Sequence, residues 1–256
     1  MTPTEAAKEI ETQLAAVSGW PVLVEPSSEI GGYATLRFAT DSSPVHWLRY
    51  KPEMEPELSY LVAFQCAMAL RTAEAKPENR FDVASTNALN KELPSLVSQH
   101  LKAHLPDFNE SMVPQLAQHF ANGLGMQIRT FPVTIRVERW ISENYPTLHA
   151  LQRRNNERHL KEAMAGLGSN IRAIAPAKVL HANLSMNAAF AKFLAKEWNE
   201  PHLAAGFVSA GYGNIADELL DLNSTIDGSP NGDRQLVDSW AEKVGISNWY
   251  VTVPKT

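Results

Sequence analysis

Residues 61–70 read Leu-Val-Ala-Phe-Gln-Cys-Ala-Met-Ala-Leu and contain a single strongly polar side chain, that of Gln65. A helix of this composition is apolar on every side, so we expect it to lie inside the fold. Pro56 precedes the segment and Pro77 follows it, and proline is typical of helix boundaries. The sequence therefore predicts a buried helix over about residues 58–70 as the central element of the chain.

The segment before this helix has the pattern of a small sheet. Thr2 and Glu5 form a capping-box pattern, which predicts a first helix over about residues 3–17. Three short runs rich in β-branched and aromatic residues follow it, each bounded by turn residues: 20–24, 33–38 and 45–50. These runs predict three strands.

From about residue 85 onward the apolar residues recur at helical spacing, with interruptions at prolines such as Pro132. The predicted fold class is α+β, with a small N-terminal antiparallel or mixed sheet packed on the long buried helix and a mostly helical remainder. A chain of 256 residues, 44% of them hydrophobic, can bury one core. We expect a single domain over residues 1–256, with an α+β lobe at about 1–84 and a helical lobe at about 85–256.

Charge and cysteine content narrow the expected partners and compartment. The formal net charge is −5 and the basic residues are dispersed, so we expect no nucleic-acid partner. No run approaches the roughly 18 apolar residues of a membrane span, and the first residues lack a secretory pattern. The one cysteine, Cys66, cannot form an internal disulfide, which suits a reducing compartment. We expect a cytoplasmic protein without a membrane partner.

The central helix resembles a segment of the small zincin metallopeptidases. That segment commonly reads roughly Leu-Val-Ala-His-Glu-Leu-Gly-His-Ala-Leu-Arg, and residues 61–71 match its flanks. In zincins the two His side chains bind zinc and the Glu activates a zinc-bound water. Here Phe64 and Met68 occupy the two His positions, Gln65 occupies the Glu position, and Ala67 occupies the Gly position.

The resemblance implies a zincin-like scaffold from which the chemistry has been removed. Phe has no ligand atom, the Met thioether suits Zn²⁺ poorly, and Gln cannot act as a general base. By the same resemblance, strand 45–51 corresponds to the edge strand beside a zincin cleft, and Glu138 to the downstream third ligand. The candidate cleft then has no catalytic residue, metal or cofactor, and its residues are His46, Phe64, Gln65, Met68 and Glu138.

A plainer interpretation of the same residues stays open. The central helix can be an ordinary core element, with Gln65 as a hydrogen-bonded amide and Cys66 as a small hydrophobe. Glu138 can be an ion-pair partner of Arg136 or Arg139. Under this interpretation the segment has no cleft.

Two other patterns resemble weak metal sites. His100 and His104 lie four residues apart, a spacing that can bind a metal from one helical face, or that can place both rings in solvent. Asp227, Asn231 and Asp238 partly follow the calcium loop of an EF-hand. The competing interpretation of that loop is a polar turn between helices in which Asp233 caps the next helix.

These observations favour a non-catalytic binding or regulatory protein on a degenerate zincin-like scaffold, with a protein or peptide as its partner. In that hypothesis an extended peptide binds in a groove between strand 45–51 and helix 58–71. One alternative is a metal-dependent hydrolase whose non-standard site uses residues such as His46, His100, His104 and Glu138. The other is a helical structural or assembly protein.

Overall fold

The computed structural model describes residues 1–105 and 107–255, and helices make up most of it. The chain forms two compact units. The first consists of Met1–Arg80 and Arg136–Arg158, and the second of Phe81–Ile135 and His159–Thr256. The predicted α+β class, with a small N-terminal sheet and a mostly helical remainder, is confirmed.

The first unit begins with helix α1 (Pro3–Ser18), close to its predicted range. The hydroxyl of Thr2 accepts a hydrogen bond from the Glu5 N–H, and the Glu5 carboxylate accepts one from the Thr2 N–H. This reciprocal capping box satisfies N–H groups that have no partner within the helix. Gly19, with φ at 78°, ends α1 in the left-handed conformation that glycine adopts without strain.

Three strands follow, β1 (Val22–Pro26), β2 (Ala34–Arg37) and β3 (His46–Tyr50), and they form a mixed sheet in the order β1-β3-β2. β1 is parallel to β3, and β2 is antiparallel to β3. The expectation that strand 45–51 lies at an edge is therefore wrong. β3 buries every second side chain, namely His46, Leu48 and Tyr50, and the most buried strand takes the inner place. The edge strands are β1 and β2.

Helix α2 (Leu58–Glu74) packs against α1, β2 and β3, which confirms the central helix. Eight of its residues are buried. The expectation that the segment 61–70 is buried on all sides holds for seven of its ten residues, and the other three are half-buried. Those three are Phe64, Gln65 and Met68.

Two later helices complete the first unit with part of their length: α4 (Val113–Asn144) and α5 (His149–Met164). The sequence predicts an interruption at Pro132, but α4, which is 32 residues long, continues through this proline. A proline removes one backbone hydrogen bond from a helix, and the many other bonds of α4 offset that loss.

The second unit is mainly helical. Helix α7 (Ala177–Glu197) buries twelve side chains and contacts both α8 (His202–Phe207) and α9 (Gly213–Thr225). A two-stranded antiparallel sheet of β4 (Phe81–Ser85) and β5 (Tyr250–Pro254) also belongs to this unit, and the sequence did not predict it. The unit also contains α3 (Asn87–His104), α6 (Ser169–Ile174) and α10 (Asp233–Lys243).

Two consecutive aromatic residues near the C-terminus, Trp249 and Tyr250, are buried in the second unit. Trp249 is fully buried, and its indole N–H donates to the Glu92 carboxylate at 2.7 Å. The Lys178 ammonium pairs with the same carboxylate at 2.9 Å and lies 4.1 Å from the Trp249 ring centroid. A carboxylate, a cation and an indole therefore hold the C-terminal segment in place.

Candidate functional site

The middle of α2 carries a partly exposed face in a helix that is otherwise mostly buried. Phe64, Gln65 and Met68 are half-buried, whereas Cys66 and Ala67 between them are buried. Residues at positions i, i+1 and i+4 lie on one side of a helix. The three half-buried residues are also the ones that the zincin resemblance aligns with the two His ligands and the Glu base.

Gln65 connects this face to the edge strand β2. Its Nε2 donates a hydrogen bond to the main-chain oxygen of Ala34 at 3.2 Å. The Lys51 N–H donates to the Tyr33 oxygen at 2.9 Å, so Tyr33 faces β3. Because the direction alternates along an antiparallel strand, the main-chain groups of Ala34 and Leu36 point away from β3. The Gln65 amide therefore binds β2 where a neighbouring strand would bind it.

The remaining outward groups of β2 make no bond within the described part of the chain. β3 is the one strand that pairs with β2 there, and Gln65 is the one side chain that bonds to the outward groups of Ala34 and Leu36. The N–H of Ala34 and both groups of Leu36 are the unpaired donors and acceptors of a sheet edge. The half-exposed face of α2 and the free edge of β2 together form the candidate site.

His46 does not offer a free nitrogen to this site. It is 1% exposed, and its Nδ1 accepts a hydrogen bond from the Ala39 N–H at 3.0 Å. Its Nε2 must then carry the proton, and it donates to the Ser18 hydroxyl at 2.8 Å. His46 thus ties the loop before β3 to the end of α1, with both ring nitrogens engaged.

Glu138 reaches α2 one turn before the candidate site. Its Oε1 accepts a hydrogen bond from the Tyr60 hydroxyl, and its Oε2 accepts one from the Gln152 amide at 2.7 Å. The Tyr60 ring lies 6.0 Å from the ring of Phe64. Tyr60 and Gln152 engage the two carboxylate oxygens of Glu138, and an ion pair of Glu138 with Arg136 or Arg139 stays a prediction.

The surroundings of Glu138 explain its electrostatics. Burial raises the pKa of Glu138, although the hydrogen bonds from Tyr60 and Gln152 act to lower it. Burial, followed by the charge of Glu138, raises the pKa of Tyr60 well above its usual range. The amide of Asn156 acts to lower the pKa of both Glu138 and Tyr60, although its Nδ2 makes no hydrogen bond of normal geometry. This closed acid–phenol pair is suited to holding α2, α4 and α5 together.

The histidine pair on α3 does not converge on a common point. The Nε2 of His100 donates to the Arg172 oxygen at 2.9 Å, and the Nδ1 of His104 donates to the His100 oxygen at 2.9 Å. The two rings stack with their centroids 4.1 Å apart. Across residues 1–105 and 107–255, no three His, Cys, Asp or Glu side chains are grouped as a metal site requires.

The loop before α10 is a turn built on side-chain caps. Asp227 accepts hydrogen bonds from the N–H and the hydroxyl of Ser229, at 2.9 and 2.7 Å. Asn231 lies in the 3₁₀ turn Pro230–Gly232, while Asp238 lies on α10 and accepts from the Thr252 hydroxyl. Burial raises the pKa of Asp238. Gly232, rather than Asp233, is the N-cap of α10, so the expected Asp233 cap is wrong.

Two residues of the site region were missed in the sequence. Ala34 takes part through its main chain, and no side-chain signal marks that. Tyr60 lies just before the apolar run 61–70 and was not singled out, although a buried tyrosine hydroxyl needs a partner and thereby signals a polar group on another helix.

Comparison with protein-family models, with curated proteins and with solved structures found no match to this chain. Every helix in residues 1–105 and 107–255 is too short or too polar to cross a bilayer. The geometry of the first unit is therefore the basis for a functional assignment.

Proposed function

We propose that this protein is a non-catalytic binding protein that takes up an extended peptide segment along the free edge of β2. The observation that carries the proposal is the Gln65 hydrogen bond to Ala34, because it joins the half-exposed face of α2 to an unpaired strand edge. Edge strands bind extended peptides through main-chain hydrogen bonds, and neighbouring side chains supply the specificity.

The bound peptide takes the place that the Gln65 amide now holds. Gln65 satisfies one outward carbonyl, and the peptide N–H displaces it while pairing with the other outward groups of Ala34 and Leu36. The released Gln65 amide then contacts the peptide itself. Phe64 and Met68 lie on the same side of α2 and supply apolar contacts, and methionine adapts well to varied side chains.

The residues on this face of α2 do not suit zinc-dependent hydrolysis. Phe64 and Met68 stand where zinc ligands would be needed, and Gln65 cannot accept a proton as a base does. Glu138 is 2% exposed and bonded to Tyr60 one turn away. In this proposal the zincin-like scaffold retains the helix and an edge strand without the catalytic groups, and β2 takes the role that the resemblance assigned to strand 45–51.

A random-peptide display library is the probe that tests this proposal. Selected peptides are titrated into labelled protein, and amide chemical shifts are followed by NMR. We expect shifts centred on Ala34, Leu36 and Gln65, with Val22 and Val24 on the other edge as internal controls. A library without binders, or binders that shift only residues elsewhere, would overturn the proposal.

Backbone methylation of a selected peptide then tests the strand geometry. Because alternate N–H groups of an added strand face β2, methylation at every second residue should abolish binding. Methylation at the intervening residues should leave affinity within a few-fold. Met68→Lys should weaken the same peptide at least ten-fold, whereas Met126→Lys, a change at an exposed methionine of the second unit, should not. Equal affinity for both methylated series would contradict strand addition.

A further inference from the structure

The other edge of the three-stranded sheet, β1, is also unpaired. The His46 N–H donates to the Pro21 oxygen and the Ser27 N–H donates to the Tyr50 oxygen, both at 2.8 Å, and these bonds frame the parallel ladder. The main-chain groups of successive residues in a strand point to alternate sides. The N–H and C=O groups of Leu23 therefore point toward β3, and those of Val22 and Val24 point away from it. Neither outward N–H has a partner among the described residues.

This edge lacks the features that usually prevent strand association. Protected edges carry lysines, inward-pointing charges or covering loops. Here the Leu23 side chain is 44% exposed and Val17, at the end of α1, is 49% exposed. The one charged residue of β1, Glu25, is paired with Arg49 of the same sheet at 2.6 Å. Pro26 blocks only the C-terminal end of the strand.

We propose that the edge of β1 pairs with the same edge of a second copy of this chain. In an antiparallel arrangement about a two-fold axis, Val22 of each copy lies opposite Val24 of the other. Both outward N–H groups and both outward carbonyls of each copy are then used, which makes four hydrogen bonds. Leu23 lies opposite itself on the axis, in the closely spaced type of pair that brings side chains together.

The second copy is the occupant because the register is self-complementary. Glu25 of one copy lies opposite Pro21 of the other, so no like charges meet across the axis. The missing N–H of Pro26 falls outside the four-bond ladder. The result is a six-stranded sheet in the order β2-β3-β1-β1-β3-β2, with a β2 edge at each end. The contact is short, so the dimer forms reversibly and depends on concentration.

A cysteine at the two-fold axis tests this arrangement directly. In Leu23→Cys the two Cα atoms lie about 4.5 Å apart, within the roughly 4.4–6.8 Å that a disulfide spans. The native Cys66 is fully buried and burial raises its pKa to about 12, so it does not compete. Thr35→Cys, on the exposed side of β2, is the matched control. We expect mild oxidation to link Leu23→Cys at least ten-fold faster than Thr35→Cys. Equal rates, or no linked dimer, would overturn the proposal.

Charged substitutions of Leu23 test the same contact independently, with the oligomeric state measured by sedimentation equilibrium. The wild-type protein should show a concentration-dependent dimer, and Leu23→Lys and Leu23→Glu should each be monomeric because like charges meet on the axis. An equimolar mixture of the two variants should dimerise again. A monomeric wild type, or a dimer that persists in both variants, would contradict pairing through β1. Circular dichroism checks that each variant is folded, which the exposure of Leu23 favours.

Discussion

The hydroxyl of Tyr60 donates a hydrogen bond to Oε1 of Glu138, and the two residues are 1% and 2% exposed. They are 78 residues apart in sequence, on α2 and α4. A buried polar group without a partner is costly, so each of these groups depends on the other for stability in the core. This hydrogen bond adds a polar contact between α2 and α4 to the apolar packing around α2.

Removing the hydroxyl should destabilise the protein. Tyr60→Phe leaves the Glu138 carboxyl without its phenol donor, and we expect a loss of about 1–3 kcal/mol in the free energy of unfolding. Urea denaturation measures it. Tyr50→Phe is the control, because its partner Glu55 is exposed and can bond to water instead. Similar losses in both variants would mean that the Tyr60 bond has no special weight.

The raised pKa of Glu138 predicts a pH dependence of stability. A buried acid with a raised pKa favours the protonated form in the folded state. Its contribution is complete below the ordinary Glu value of 4.5 and declines as pH rises through the folded-state pKa. Glu138→Gln lacks this titration, so its stability relative to wild type should improve as the pH rises above about 4.5. Glu143→Gln, at an exposed position of the same helix, is the matched control.

Glu92 should show the opposite sign. Its hydrogen bond from Trp249, followed by the one from Lys178, lowers its pKa. Stability from this carboxylate is therefore present above its ordinary pKa and is lost as pH falls through the folded-state value. Because Glu92 is partly exposed, we expect Glu92→Gln to cost only about 1 kcal/mol near neutral pH. That difference should vanish in acid, as followed by urea denaturation over a pH series.

Two residues of α2 should differ in their sensitivity to truncation. Leu61 is 4% exposed, and Leu61→Ala should cost about 2–5 kcal/mol because it leaves a cavity. Phe64 is half-buried, so Phe64→Ala should cost less than the roughly 3–5 kcal/mol of a fully buried phenylalanine. Chemical denaturation of both variants tests the order. A larger loss at Phe64 would show that this face is closed rather than open.

The turn before α10 contains a matched pair of glycines. A Cβ on Gly232 would lie 2.1 Å from the Asp227 oxygen, whereas a Cβ on Gly228 meets nothing within 4 Å. Gly232→Ala must displace main chain and should cost at least about 1–3 kcal/mol. Gly228→Ala should change stability by less than about 0.5 kcal/mol. Thermal unfolding of the two variants distinguishes them, and equal melting temperatures would contradict the close approach.

Local patterns predicted the elements that depend on local physics. The Thr2–Glu5 capping box, the three strands and the central helix each have a signal within a few residues. The strands β4 and β5 have no such signal, because their partners are far apart in sequence and each run is five residues long. The predicted position of strand 45–51 at a sheet edge was wrong for a related reason. Nothing within β3 shows that β1 pairs with it in parallel.

The candidate site was predicted in part. The zincin resemblance named Phe64, Gln65 and Met68 for the candidate cleft, and these three side chains are half-buried, while the cleft itself stays a prediction. His46 and Glu138 are buried in other contacts, because a single sequence does not show which polar side chains meet. The Gln65 bond to Ala34 could not be predicted, since it uses a main-chain oxygen of a strand whose order in the sheet was unknown.

The discontinuous first unit has a consequence for synthesis on the ribosome. Residues 1–80 emerge long before residues 136–158, which supply Glu138 and Gln152 to the Tyr60 side of α2. At about 5–20 residues per second, the nascent chain waits roughly 4–16 s for its closing segment. During that interval α2 lacks part of its cover, and the emerging chain presents an apolar helix of the kind that molecular chaperones bind.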